Sequence, residues 1–385
     1  MVEPKLRFKA DDGSQFPDWE EKTLGDIGTA KMCKRVLKEQ TSEKGDVPFY
    51  KIGTFGGTPD AFISRELYEE LKTKYSFPRK GNILLSAAGT IGRTVVYDGQ
   101  DAFFQDSNIV WLDNDDSVLD GFLLQFYNKT SWDNLEGGTI KRLYNGLFLS
   151  KVIHVPSLPE QQKIAEFLST IDTVIEKQKE TVSAWEERKK GVMQKLFSQE
   201  VRFKADDGSE FSDWEKKKLE DVVEFLDGQR KPLEAGQRVS GKYPYYGASG
   251  IIDYVEDYIF DEELILLSED GANILDRNYR VCFLAKGKYW VNNHAHVLRA
   301  MDGNVNGFIC EQLESFDYRK YNSGGAQPKL NQATCRSIIM NIPCLAEQQK
   351  IADCLSSLDE VIEKQKATLA AWEELKKGLL QQMFV

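Results

Sequence analysis

With 385 residues, 41% hydrophobic and 29% charged, and with 7 Trp, 15 Tyr and 21 Phe, the chain has enough apolar material for two or three folded domains, which excludes a disordered polymer. A formal net charge of −11 excludes a protein that coats nucleic acid through a uniformly basic surface, while leaving room for a local basic groove. No run approaches the ~20 apolar residues of a membrane span, MVEPKLRFKADDG has no apolar signal core, and the 6 cysteines form no CxxC pair, so a cytoplasmic protein with reduced, packed thiols is expected.

The first predicted element is a leader, residues 1–19, where RFKADDGSQFPDWEEKTLGDI starts at Arg7 and carries a DGS turn. A globular segment, 20–157, follows. Short β-branched and aromatic runs alternate there with Gly and Asn turns: PFYKIG at Pro48, NILLS ending at Ser86, GRTVVYD, FFQDSNIVWL ending at Leu112, GGTIKRLYN from Gly137 and a strand end at Pro156. From 158 to 198 a 4-3 alternation runs through Ile164, Leu168, Ile171, Ile175, Gln178, Val182, Trp185, Lys189, Val192 and Leu196. This is a heptad seam sustained over about four and a half heptads, or roughly 50 Å of helix.

Then the sequence begins again. RFKADDGSEFSDWEKKKLEDV, from Arg202 within a second leader at 199–214, matches the first leader at 15 of 21 positions. A second globular segment, 215–344, repeats the landmarks in order: PYYGAS at Pro244, LILLS ending at Ser268, RVCFLA, YWVNNHAHVL ending at Leu298, GGAQPKLNQ from Gly324 and Pro343. A second helix, 345–385, matches the first at 26 of 40 positions, with seam residues Ile351, Leu355, Leu358, Ile362, Gln365, Leu369, Trp372, Lys376, Leu379 and Met383.

Such a repeat predicts an α/β chain of mixed α+β type, with two pseudo-twofold-related globular domains joined by two long antiparallel helices in a coiled coil. A surface helix that packs only on its own domain is the plainer alternative. Gln178 and Gln365 fall near mid-seam, where a buried amide could set register. Helices kept alike suit two copies of one partner. Domains allowed to diverge suit two different ligands.

The order of leader, variable domain, PxLxEQQKIAxxLSxxDxxIEKQK helix, leader, variable domain and second helix resembles the DNA-specificity subunit of type I restriction-modification enzymes over nearly the whole chain. The resemblance implies that each variable domain is a target recognition domain reading one half of an asymmetric, bipartite site in double-stranded DNA. It also implies that the coiled coil spaces the halves and docks two methyltransferase subunits, with restriction subunits able to join. No cofactor is expected in this chain; S-adenosylmethionine chemistry belongs to the methyltransferase partners. A helix of about 50 Å matches roughly 14 to 15 base pairs, an upper bound on the separation of half-site centres.

Base edges are read by Arg, Lys, Asn, Gln, Ser and Thr, and phosphates by cations and turn amides. In the first domain the candidates are Thr90 and Arg93 in AAGTIGR, Ser107 and Asn108 in QDSN, and Lys141, Arg142, Tyr144 and Asn145 in KRLYN. In the second they are Asn273 and Arg277 in GANILDR, Asn292, Asn293, His294 and His296 in VNNHAH, and Gln327, Lys329, Asn331 and Gln332 in GGAQPKLNQ. Turn formation and ordinary surface solvation are the competing uses of the same residues.

Other chemistries find less support. His294 and His296 lack further metal ligands nearby, and Asp60, Glu70 and Lys72 match a nuclease pattern only formally, because SRELYEELK reads as a helix. No Asn/Asp-Pro-Pro-aromatic string, Gly-rich cofactor loop or GxxxxGK[ST] loop is present, so methylation chemistry is expected elsewhere. Two further readings stand beside the leading one: a coiled-coil protein-binding adaptor without DNA readout, and a free-standing nuclease using Asp60, Glu70 and Lys72.

Overall fold

The computed structural model describes residues 4–132, 142–325 and 327–385. They form two compact units, Met1–Lys179 with Thr368–Val385, and Glu180–Ala367, so each long helix is shared between the two.

In the first unit β1 (Glu20–Thr23), α1 (Leu24–Ile27) and β2 (Gly28–Lys31) lead to β3 (Val47–Tyr50), β4 (Phe62–Ile63) and α2 (Arg65–Lys74). The chain continues through β5 (Ile83–Ser86), β6 (Thr94–Val96), β7 (Phe103–Phe104), β8 (Ile109–Asn114), α3 (Asp120–Lys129), α4 (Asn145–Leu149), β9 (Val152–Val155) and α5 (Leu158–Phe197). One antiparallel sheet has the order β2-β8-β5-β6; a second places β3 between antiparallel β4 and parallel β7; β1 pairs with β9.

The second unit repeats this frame with β10 (Glu215–Lys218), β11 (Val223–Phe225), β12 (Ser240–Gly247), β13 (Gly250–Val255), β14 (Phe260–Asp261) and β15 (Leu264–Ser268). There follow α6 (Asn273–Asp276), β16 (Cys282–Ala285), β17 (Lys288–Val291), β18 (Ala295–Ala300), α7 (Asn306–Glu314), α8 (Gln332–Arg336), β19 (Ile339–Ile342) and α9 (Leu345–Met383). Its sheets are β11-β18-β15-β16, β13-β12-β17-β14 and β10-β19. Between β4 and β5 the first unit carries α2, capped by the Ser64 hydroxyl accepting from Leu67 N; between β13 and β15 the second carries β14, paired with β17.

The NILLS and LILLS runs become β5 and β15, central strands buried on both faces, which is why they are continuously apolar. Their side chains alternate between two cores. Ile83 and Leu85, like Ile265 and Leu267, join the core beneath the long helices; Leu84, like Leu264 and Leu266, joins the core under the second sheet.

Helices α5 and α9, of 40 and 39 residues, each span about 60 Å at ~1.5 Å per residue. In the first unit Ile164, Leu168, Ile171 and Ile175 share a core with Leu369, Trp372, Leu379 and Met383. In the second, Ile351, Leu355 and Leu358 pack with Val192 and Leu196. Direction is fixed by ion pairs: Asp172 with Lys376 and Lys179 with Glu373 in one unit, Glu186 with Lys366 and Lys189 with Asp359 in the other. Numbers rise on one helix as they fall on its partner, so the pairing in both units is antiparallel. The helices therefore do more than cover their own domains.

The seam lysines have a reason to be there. Lys189 is buried and reaches Asp359 at 2.7 Å and Glu311 at 3.0 Å, and Lys376 takes the corresponding Asp172, which also accepts from Gln125 Nε2 at 3.0 Å. Gln178 and Gln365 are half-buried.

The EQQK string is a clasp for the leader. Glu160, with no solvent exposure, accepts from Arg7 Nη2 at 2.9 Å and Trp19 Nε1 at 3.1 Å; Glu347 does the same for Arg202 at 2.7 Å and Trp214 at 3.0 Å. Gln161 accepts from Leu119 N and donates to Pro156 O, and Gln348 accepts from Val305 N and donates to Pro343 O. Lys163 and Lys350 bind Asp11 and Asp206 beside the DGS turns, in which Gly13 and Gly208 take φ of 84° and 83°. Among the described residues no helix is long and apolar enough to cross a membrane.

Candidate nucleic-acid interface

Each unit brings three segments together at one end of its central strand. In the first, Ala87 N donates to Asn108 O at 2.7 Å and Leu143 N donates to Ala87 O at 2.9 Å, joining the loops after β5 and before β8 to the chain at 142. Ser107 turns this corner in the left-handed region, at φ 53°, and its carbonyl accepts from Arg142 Nη2 at 2.6 Å. Ser107, Asn108 and Arg142 thus meet, and they line a cleft of about 480 Å³ together with Arg35, Lys38 and Lys51.

Thr90 and Arg93 belong to the loop beyond β5, where the Ser86 hydroxyl donates to Thr90 O and accepts from Arg93 N. Arg93 spends one Nη on Phe55 O at 2.6 Å. Tyr144 and Asn145, at the start of α4, are exposed, Tyr144 at 59%. Lys141 lies outside the described residues.

The second unit builds the same corner from different side chains. Glu269 N donates to His294 O at 2.9 Å and Leu330 N donates to Glu269 O at 2.7 Å. His294, Asn293, Gln327 and Lys329 are exposed there; His294 Nδ1 lies 2.9 Å from Asp270, and Lys329 Nζ lies 3.4 Å from Glu269.

Several expected readers are instead part of the frame. His296 is 1% exposed, with Nδ1 donating to Asp227 at 2.7 Å and Nε2 donating to Leu330 O at 2.8 Å, so no ring nitrogen is left for a base. Burial by itself disfavours the charged imidazole, yet the hydrogen bond to Asp227, with Cys335 nearby, carries its pKa up to about 10. The Asp227 carboxyl stays below its ordinary range despite burial, held there by His296, Val297 N and Arg230. Asn292 is buried and accepts from His294 N; Asn273 exchanges both amide groups with the Tyr279 backbone; Arg277 is tied to Glu314; Asn331 caps α8 by accepting from Thr334 N; and Gln332 donates to Asp227.

Arg35 and Lys38, which line the first cleft, belong to no recognisable motif and are found only through the fold. The nuclease-like trio is dispersed: Asp60 pairs with Lys51, Glu70 with Lys74 on α2, and Lys72 Nζ donates to Tyr68 Oη. Among the described residues no group of three or more His, Cys, Asp or Glu is placed to hold a metal ion.

Comparison with known proteins reaches the same frame. The family model for the type I restriction modification DNA specificity domain matches residues 17–183 and again 211–371. A Haemophilus influenzae protein assigned as a type I restriction enzyme specificity subunit is 56% identical over 152 residues, covering 39% of this chain and 40% of that relative. A Methanocaldococcus jannaschii protein assigned as the MjaX specificity subunit is 25% identical over 411 residues, covering 97% of this chain and 94% of its own. The crystal structure of the type I restriction-modification S subunit from M. genitalium has the same fold, with a TM-score of 0.65 at 18% identity over 100% of this chain and 99% of the other. The chain belongs to the type I restriction-modification DNA specificity family and carries two copies of its domain.

Proposed function

We propose that this chain reads an asymmetric, bipartite sequence in double-stranded DNA, one half through each globular domain, and presents it to two methyltransferase subunits that bring S-adenosylmethionine. Catalysis resides in those partners, to which restriction subunits can add cleavage, and the assembly works in the cytoplasm. The observation that carries this reading is the pair of corners: one backbone frame, built twice, presents Ser107, Asn108 and Arg142 in one unit and Asn293, His294 and Lys329 in the other. A duplicated frame with rewritten side chains suits two different base sequences. The clasps and seam, kept alike, suit two identical partners. The acidity of the whole chain fits a reader whose own DNA affinity is modest and whose partners supply much of the basic surface.

Methylome sequencing of cells expressing the chain with its methyltransferase subunits tests this. Exchanging residues 20–157 for those of a relative should change one half of a two-part motif and leave the other half intact. A motif unchanged by the exchange would refute the reading and favour a protein-binding adaptor.

A further inference from the structure

Two arginines occupy equivalent places in the two domains and are used differently. Ala30 pairs with Leu112, and Phe225 pairs with Leu298, its counterpart; five residues further on stand Arg35 and Arg230. Arg230 is turned inward, its side chain 13% exposed, with Nη1 donating to Glu269 and Ala295 O at 2.7 Å each and Nε donating to Asp227 O at 3.1 Å. It is spent on the frame. Arg35 is 67% exposed and makes one bond, Nε to Asp106 Oδ2 at 3.0 Å; among the described residues Nη1 and Nη2 have no partner.

A guanidinium braced through Nε by a carboxylate is held in one plane with its two outer nitrogens aimed away from the brace. That geometry matches the paired O6 and N7 acceptors of guanine in the major groove. Arg35 lines the 480 Å³ cleft, as do Lys38 and Arg142, which add further positive charge for phosphate or base contact. We propose that Arg35, positioned by Asp106, is a specificity-determining residue that reads one guanine in the half-site of the first domain. Arg230 does no such reading in the second.

This rests on the chain's being a DNA reader, and the test separates the two claims. The chain is co-expressed with its methyltransferase subunits, and the complex methylates a duplex library randomised across both half-sites, at several salt concentrations. With Arg35→Ala, discrimination for guanine at one position of one half-site should fall by roughly 5- to 150-fold, every other position keeping its preference. Arg35→Gln, nearer in size, should shift that position towards adenine, since Gln matches adenine N6 and N7. Thermal melting of both variants checks that the fold persists, as expected for so exposed a side chain. An unchanged profile, or an even loss across all positions with a shallower salt dependence, marks a phosphate contact or a bystander and overturns the inference alone. A wild-type complex without any two-part motif overturns the underlying reading instead.

Discussion

Glu160 and Glu347 sit with no solvent exposure at the heads of the long helices, each surrounded by an arginine and an indole N–H from a leader. Removing one partner of a buried pair leaves the other charge uncompensated, at a cost of about 3 kcal/mol or more. Glu160→Ala should therefore lower the stability of the first unit by about that amount in urea unfolding and expose residues 7–19 to limited proteolysis, while Glu166→Ala, on the exposed face of α5, changes neither. His296 acts through pH. Its pKa of about 10 in the fold stands above the ordinary 6.5, so its contribution is fully present below pH 6.5 and is lost as pH rises through 10. The urea midpoint of the second unit should fall between pH 7 and 10, and His296→Gln should start lower and lack that fall. At this scale sequence alone is a weak guide. NNHAH suggests a loop of candidate readers, yet Ala295 to Leu298 are buried on both faces of β18, so alternation cannot tell exposed His294 from interior His296. Arg35 escaped because the role proposed for it depends on Asp106, 71 residues away.

Between residue and domain, the elements pack through small contacts that the pattern of the sequence only partly announces. A Cβ on Gly121 would lie 3.1 Å from Ala165 Cβ, and one on Gly307 would lie 3.2 Å from Ala352 Cβ, so α3 and α7 approach the long helices at matching points. Gly121→Val and Gly307→Val should each destabilise their unit by about 1–3 kcal/mol through overpacking, with Ala165→Gly partly restoring the first in a double-mutant cycle followed by thermal melting. The heptad seam, the DGS turns, the ILLS runs and the helix SRELYEELK were all legible, because period and turn chemistry are local. The replacement of α2 by β14 was not: aligning PFYKIG with PYYGAS locates the shared strand and says nothing about what the variable chain does after it.

For the whole molecule, the matched pairing of α5 and α9 constrains how a spacer can be lengthened. An insertion in residues 160–197 alone would separate Lys189 from Asp359 or Asp172 from Lys376, so it must be matched on the partner helix. Adding one heptad, about 10.5 Å, to both helices near Lys179 and Thr368 should widen the gap between half-sites by roughly three base pairs and leave the bases read in each half unchanged, as methylome sequencing would show. An altered half-site with an unaltered gap would end the spacer idea. By itself the sequence determined that one domain is built twice and that its helices carry a seam, because repeats and heptads are properties of order along the chain. Only the tertiary structure decided that EQQK is a clasp, which ion pairs set the register of the antiparallel helices, and which side chains face solvent where the loops of each unit meet. Those depend on groups up to 204 residues apart, as Asp172 and Lys376 are, which no local pattern can bring together.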